Sequence, residues 1–476
     1  MSTKDKAANQ QQKKATVGIS LIPIFTMFIL LYLSLTRFHL DIQIPLIFST
    51  IVAAFIAVVV LKCKWDDIEK GMYDSIQSAM QAIIIACLIG MIIGSWIAGG
   101  IVPSIIYYGL KILSPKFFLV TCLLVCGIVA VTTGSSWTTA GTLGVAMVGI
   151  GTGMGIPPAV TAGVVVSAAY FGDKMSPFSD TTNLAPGVSG TTLFAHIRHM
   201  MYTTGTSLAI AIVGYFLLNF KYSGNTEVTS QIPTLMASLK EQFVISPWLM
   251  LPLLLLVGMI YFKIPAVPGL IASMLIGVVC AVLLQGQGIA EIGTVLSYGV
   301  TCDTGNTALD ELLSKGGLQN MMWTVSLALC SLSFGGAMYS SGMLNALAEK
   351  ILNVAKGAGG LITATGLTAL LVNIVCGEQY LSILLTGRMY KDEFKNRGLA
   401  PQNLSRTLED FGTITSPLIP WTTCAVAMST YMNVPTLDYL PYCFLNIANP
   451  IVAIIFAFTG FSIKKISEVS PEDITD

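Results

Sequence analysis

Charge is what this sequence has least of. Only 11% of its 476 residues are Asp, Glu, Lys or Arg, while 54% are hydrophobic. Soluble proteins carry roughly 25% charged residues. A soluble chain of this length would split into several domains, whereas this one reads as a single body of membrane segments. Its 25 basic and 25 acidic residues cancel, so the total charge implies no nucleic-acid partner. Histidine is nearly missing, with only His39, His196 and His199 present, which argues against a histidine-built metal centre. The ten cysteines form no CxxC pair and no Cys/His cluster, so neither a disulfide framework nor a structural metal is expected. They read as small hydrophobes between helices. No HExxH, GxSxG or Walker pattern occurs. An enzyme therefore lacks its parts, and no cofactor is expected.

What is present is apolar and long. Mean hydropathy is +0.75, and apolar segments fall near 17–36, 43–61, 75–98, 117–132, 138–153, 157–171, 203–220, 246–262, 266–284, 320–338, 360–376, 379–388, 412–430 and 440–462. A helix needs about 20 residues to span a bilayer. Several segments are shorter, which predicts half-helices or re-entrant hairpins. The expected fold is an all-α polytopic membrane protein with about 10–14 membrane elements. The stretch 1–16 is polar and carries Lys4, Lys6, Lys13 and Lys14. The run after it, Val17 to Leu35, is long enough to span and has no A-x-A site nearby, so it reads as a first membrane helix rather than a leader. Lys/Arg bias sets orientation. It assigns the tail, 62–70, 196–200, 388–408 and the C-terminal stretch 463–476 to the cytoplasm, and the acidic 285–318 to the outside.

Two stretches interrupt the apolar runs with polar groups. The first is Phe171-Gly172-Asp173-Lys174-Met175-Ser176-Pro177-Phe178-Ser179-Asp180-Thr181-Thr182-Asn183. Gly172 and Pro177 mark where its helix should break. Non-helical backbone at membrane depth must face protein or a water-filled cavity, and ionisable groups there mark paths for ions or protons. Phe171-Gly172 and Ser176-Pro177 recur as Phe411-Gly412 and Ser416-Pro417, an offset of 240 (411 − 171), and Thr182 meets Thr422 at that offset. Just upstream, Gly134-Ser135-Ser136-Trp137 through Gly144 resembles Gly377-Glu378-Gln379-Tyr380 through Gly387, an offset of 243 (377 − 134). Gly134, Gly377, Gly412 and Pro417 are therefore read as further breaks.

Equivalent loops carry opposite charge character. Uncharged 150–158 answers basic 388–408, and basic 62–70 answers acidic 285–318. That is the expectation for two inverted-topology repeats with a site at their interface. The halves are placed at 17–220 and 246–462, joined by a loop over 221–245.

The breaks supply oxygen, the ligand hard cations prefer. Asp180 is the first choice for a carboxylate that takes either Na⁺ or a proton, and Asp173 the second. Ser176, Thr181, Thr182 and Asn183 from the first half join Thr415, Ser416, Thr422 and Glu378 from the second as ion or proton ligands. Beyond transported Na⁺ no metal is expected. Lys174 is read as the charge partner of its neighbour Asp173, since an unpaired buried charge is costly. Asp180 also suits a helix N-cap. Glu409 and Asp410 are expected at an exposed cytoplasmic mouth beside Arg406. Trp137 and Trp421 are expected to pack.

The block Gly172-Asp173-Lys174-Met175-Ser176-Pro177-Phe178-Ser179-Asp180-Thr181-Thr182-Asn183-Leu184-Ala185-Pro186-Gly187 resembles the signature of the NhaC family of Na⁺/H⁺ antiporters. The stretches Cys376–Gly387 and Leu408–Thr423 fit the same family, and the likeness extends across nearly the whole chain. The resemblance implies sodium export coupled to proton uptake in a bacterial cytoplasmic membrane, with Na⁺ and H⁺ as the partners. A homodimer is the candidate assembly. It carries over Asp173, Lys174, Ser176, Asp180, Thr181 and Thr182 as core positions, without fixing their roles. The family also holds carriers that exchange malate for lactate, so a small carboxylate is the alternative cargo. No arginine lies in the break regions to clamp such an anion, which favours ions alone.

Overall fold

The computed structural model describes residues 13–222, 226–262, 264–303, 310 and 313–475. Most of the basic tail and Glu311 of the acidic loop lie outside the described residues. The described residues are mainly helical, with two isolated β-bridges, Thr191 to Ile474 and Leu399 to Lys465. In order come α1 (Val17–Leu33), α2 (Gln43–Phe55), α3 (Trp65–Ser78), α4 (Met80–Ala98), α5 (Ile101–Ile112), α6 (Phe118–Thr133), α7 (Ser136–Thr139), α8 (Val145–Gly153), α9 (Pro158–Met175), α10 (Asp180–Ser189) and α11 (Leu193–Tyr222). The 221–245 segment, expected as a loop, holds helix α12 (Thr226–Gln242). There follow α13 (Leu251–Tyr261), α14 (Ala266–Leu283), α15 (Ile289–Tyr298), α16 (Leu318–Ser340), α17 (Met343–Asn353), α18 (Gly357–Cys376), α19 (Gln379–Asn396), α20 (Pro401–Leu408), α21 (Thr423–Met432), α22 (Thr436–Tyr439) and α23 (Phe444–Thr459).

Among the described residues, six helices are long and apolar enough to cross a membrane, and up to eight if each of two bent pairs counts as one. The others are shorter, as the brief apolar runs predicted. Large apolar side chains such as Phe25, Phe48, Phe55, Leu217, Leu254, Leu275 and Phe458 stand exposed on the outer helices. Such faces suit the lipid tails of a bilayer. The chain is an all-α, multi-pass membrane protein.

The two halves run through the same sequence of elements. In each, a long helix (α4, α16) ends near a left-handed glycine, Gly100 or Gly342, and leads into a shorter amphipathic one (α5, α17). A further helix (α6, α18) then ends at a second left-handed glycine, Gly134 at φ 63° or Gly377 at φ 66°. A bulkier residue in that conformation costs roughly 1–2 kcal/mol. A broken helix follows in each half: α9 and α10 in the first, α20 and α21 in the second.

The contacts cross over between halves. Helices α2 and α3 pack on α16, while their counterparts α14 and α15 pack on α4. Helices α4 and α16 touch each other, as do α11 and α23. Reciprocal exchange of this kind holds the halves together at many places rather than along one seam.

Two expected breaks prove to be continuous helix. Gly172 lies inside α9, where a Cβ would sit 2.2 Å from the Ala130 Cβ and 2.5 Å from the Val131 nitrogen. Its role is to let α9 and α6 approach closely, which small residues allow in membranes. Gly412 lies inside the wide helical turn Glu409–Thr413 that continues α20, with a Cβ position 3.1 Å from the Ser382 hydroxyl. The interruptions come later in each case, at Ser176–Ser179 and at Ile419–Thr422.

Candidate functional site

Each break is closed by its own side chains. At the first, Ser179 caps α10, its hydroxyl accepting from the Thr182 nitrogen at 3.5 Å. Asp180, expected as the cap, is instead the first helical residue, and its carboxylate is left free of that duty. Thr182 Oγ1 donates to the Asp173 and Lys174 carbonyls at 3.0 and 3.1 Å, satisfying the end of α9. Asn183 Nδ2 donates to the Pro177 and Ser179 carbonyls at 2.9 and 2.7 Å. Ser176 Oγ accepts from the Phe178 nitrogen at 3.2 Å. Thr181 Oγ1 pairs with Ser179 Oγ at 3.1 Å.

The second half repeats this logic with different residues. Thr422 caps α21, accepting from the Ala425 nitrogen at 3.1 Å and donating to the Ser416 carbonyl at 2.6 Å. Thr415 Oγ1 donates to the Phe411 carbonyl and accepts from Asn373 Nδ2 at 3.2 Å. Ser416 Oγ is buried with no hydrogen-bond partner, and Pro417 sits in the short turn beside it.

The glycine breaks lie against the helix breaks. A Cβ on Gly134 would fall 2.7 Å from the Phe178 carbonyl carbon, and the Gly377 carbonyl accepts from the Thr423 nitrogen at 2.9 Å. After each glycine a side chain caps the next helix. Ser135 Oγ accepts from the Thr138 nitrogen at 3.2 Å. The buried Glu378 carboxylate accepts from the Tyr380 and Leu381 nitrogens at 2.5 and 3.1 Å. A carboxylate at a helix N-terminus is stabilised by both those bonds and the helix dipole.

A cavity of about 420 Å³ opens where these pieces meet. Gly134, Ser135 and Ser136 line it from one break, Asp173 and Asp180 from the other, and Gln379 and Tyr380 from the second half. Asp173 is buried and accepts from Ser136 Oγ at 2.7 Å. Asp180 is exposed in the cavity, where Gln81 Nε2 stands 3.5 Å from its Oδ2. No lysine or arginine is among the lining residues. Ser176, Thr181, Thr182, Asn183, Thr415, Ser416, Thr422 and the Glu378 carboxylate do not line it. They surround it as caps and staples. Trp137 packs edge-on to Tyr431, and Trp421 donates to the Ile374 carbonyl at 2.8 Å, so both pack as expected.

Two expectations about charge are overturned. Lys174 pairs with Asp410 of the other half, not with Asp173. Asp410 Oδ1 also accepts from Thr203 Oγ1 at 2.9 Å and Asn449 Nδ2 at 2.7 Å. Arg406, Glu409 and Asp410 are all buried rather than set at an exposed mouth. The Arg406 guanidinium donates to Ser462 Oγ at 2.8 Å and lies 3.8 Å from Asp410 Oδ2. The sequence hid this cluster because its members come from α9, α11, α20 and α23 and meet only in three dimensions. Asn449, an amide inside an apolar helix, was the one local sign of it.

The profile of the Na⁺/H⁺ antiporter family matches residues 168–461, which hold both breaks and the cluster. The chain is 39% identical to the Na⁺/H⁺ antiporter NhaC of Alkalihalophilus pseudofirmus, over 95% of this chain and 98% of that one. It is 36% identical to the arginine/ornithine antiporter ArcD of Halobacterium salinarum, over 98% and 96% of the two chains. A malate-2H⁺/Na⁺-lactate antiporter of Bacillus subtilis is 34% identical over 92% of this chain and 94% of its own length. The likeness runs from end to end in all three, and with the matched profile it places this chain in the Na⁺/H⁺ antiporter family.

Proposed function

We propose that the chain exchanges cytoplasmic Na⁺ for external protons in a bacterial cytoplasmic membrane, with Asp180 and Asp173 as the carboxylates that take the two ions in turn. The observation that carries this reading is the cavity, which puts one buried and one exposed carboxylate beside breaks from both halves. A carboxylate that holds Na⁺ or a proton, but not both, couples their movements by competition. Ser136 and Gln81 hold the two side chains in place and leave carboxylate oxygen for the ion. The hydroxyl ligands proposed from sequence act from behind, by fixing the backbone that shapes the cavity.

A small carboxylate is the second reading. The cavity volume falls in the range of small-molecule sites, roughly 300–1,000 Å³. The N-terminal ends of α7 and α19 line it, and helix N-termini favour anions. The two lining carboxylates and the lack of a lining cation weigh against it. Proteoliposomes holding the purified chain separate these readings. Gradients of Na⁺, Li⁺, K⁺, malate and lactate are imposed one at a time while internal pH is followed. Proton movement under Na⁺ alone is the expected result. Movement only when malate or lactate is present would replace the ion reading with the carboxylate one.

The halves 17–220 and 246–462 are further proposed to be inverted repeats with both termini cytoplasmic. The repeated order of elements and their crossed packing support this. Single cysteines introduced at 150–158 are expected to react with an impermeant thiol reagent from outside, and those at 390–400 only from inside. The same side for both would end the inversion.

A further inference from the structure

Glu409 is fully buried, and neither carboxylate oxygen has a hydrogen-bond partner among the described residues. It opens the wide turn Glu409–Thr413, with the Thr413 and Thr181 hydroxyls near it. Thr413 Oγ1 is likewise unpartnered. The charged groups around Glu409 are few. Helix α9 brings Asp173 and Lys174, α20 with its turn brings Arg406 and Asp410, and α11, which reaches the turn through Thr203, brings the buried His196 and His199. Helices α18 and α23, packed on the turn, contain no Asp, Glu, Lys or Arg. Helix α10 offers Asp180 alone. On α19, Glu378 is held by backbone nitrogens, Arg388 is exposed, and the Tyr390 hydroxyl is taken by Thr368. The other charged residues of α19, Lys391, Asp392, Glu393 and Lys395, are half-buried or exposed beyond it.

The cluster does not balance. Lys174 and Arg406 bring two positive charges to three carboxylates, Asp173, Glu409 and Asp410. Lys174 is committed to Asp410, and Arg406 turns towards Ser462. A buried ion without compensation costs several kcal/mol, so one monovalent cation belongs here. A proton suits the place better than Na⁺. The Lys174 ammonium opposes a second cation close by, and two hydroxyls are too few to replace a sodium hydration shell. A protonated carboxyl needs only one acceptor, which either threonine supplies.

We infer that Glu409 carries a proton during the exchange and loses it when Na⁺ settles beside Asp173. This rests on the Na⁺/H⁺ reading above. A relay joins the two places: Thr181 Oγ1 lies 3.1 Å from Ser179 Oγ, and Ser179 sits beside Asp173, which lines the cavity. The step balances. Glu409 goes from carboxyl to carboxylate, its proton passes along the hydroxyls to cavity water, and the arriving Na⁺ restores the lost positive charge.

Infrared difference spectra of the purified full chain in liposomes, Na⁺ against choline at equal ionic strength, test this directly. The wild type is expected to lose a protonated-carboxyl C=O band when Na⁺ is added. Glu409→Gln is expected to lack one component of that change, keeping only what Asp173 and Asp180 contribute, and Glu409→Asp to shift the position of that component. A Glu409→Gln spectrum that keeps the full wild-type change overturns the inference. Should that variant fail to fold, an unshifted band in Glu409→Asp overturns it instead. The outcomes stay separable from the function itself. Wild-type Na⁺-driven proton flux with an unchanged Glu409→Gln spectrum removes only the role of Glu409, whereas no flux in the wild type removes the exchange reading with it.

Discussion

Lys174→Ala is expected to lower stability by about 3–5 kcal/mol, the usual cost of leaving one member of a buried ion pair without its partner. Both side chains are almost wholly inaccessible, so water cannot enter to compensate. Asp410 would keep the Thr203 and Asn449 bonds but lose its opposite charge, with Arg406 only at 3.8 Å. The damage should be global, because the pair ties α9 of one half to the turn that continues α20 in the other. The measurement is the temperature at which the detergent-purified chain loses its monodisperse peak. Asp410→Asn should fall by a similar margin. Replacing both, as Lys174→Met with Asp410→Leu, should recover most of the loss, since apolar pairs of similar volume often replace buried ion pairs at little cost. A Lys174→Ala protein that melts with the wild type would show that the pair contributes nothing to folding.

That pairing marks the limit of what the sequence disclosed. Asp173 and Lys174 are neighbours in the chain, and proximity suggested a local pair. Consecutive residues on a helix do not face each other, so Asp173 turns to Ser136 on α7 while Lys174 turns to Asp410. The left-handed glycines and the Ser-Pro pairs were legible because turn chemistry is local. A glycine that permits a turn and a glycine that permits close packing look identical in sequence. Gly134 proved to be the first kind and Gly172 the second. Glu409 and Asp410 were misplaced for a related reason. Their basic neighbour Arg406 suggested an aqueous mouth, but apolar α18 and α23 close over the turn that carries them. The membrane class and the doubled order of elements come from patterns that recur along the chain, and those survive without tertiary information.

Asp180→Asn and Asp173→Asn are each expected to bring Na⁺-driven proton flux down to that of liposomes without protein. The amide keeps the shape of the carboxylate and removes both its charge and its ability to take up a proton. At Asp173 the amide oxygen can still accept from Ser136, so the fold should be retained. Asp180 faces the cavity, where an amide can still accept from Gln81. Melting in choline should therefore match the wild type, which separates loss of transport from loss of structure. Binding supplies a second readout. An ion that binds only the folded chain at a hundred times its dissociation constant stabilises it by about 2.7 kcal/mol. Wild type should gain melting temperature as Na⁺ replaces choline, and the two variants should gain little. Asp180→Glu, which restores the charge on a longer arm, should recover part of the Na⁺ shift while transporting slowly, because competition between the ions depends on charge and their fit on distance. Wild-type flux in both Asn variants would mean that Na⁺ and protons meet elsewhere in the molecule. A normal Na⁺ shift without flux in either one would assign that residue to the proton alone.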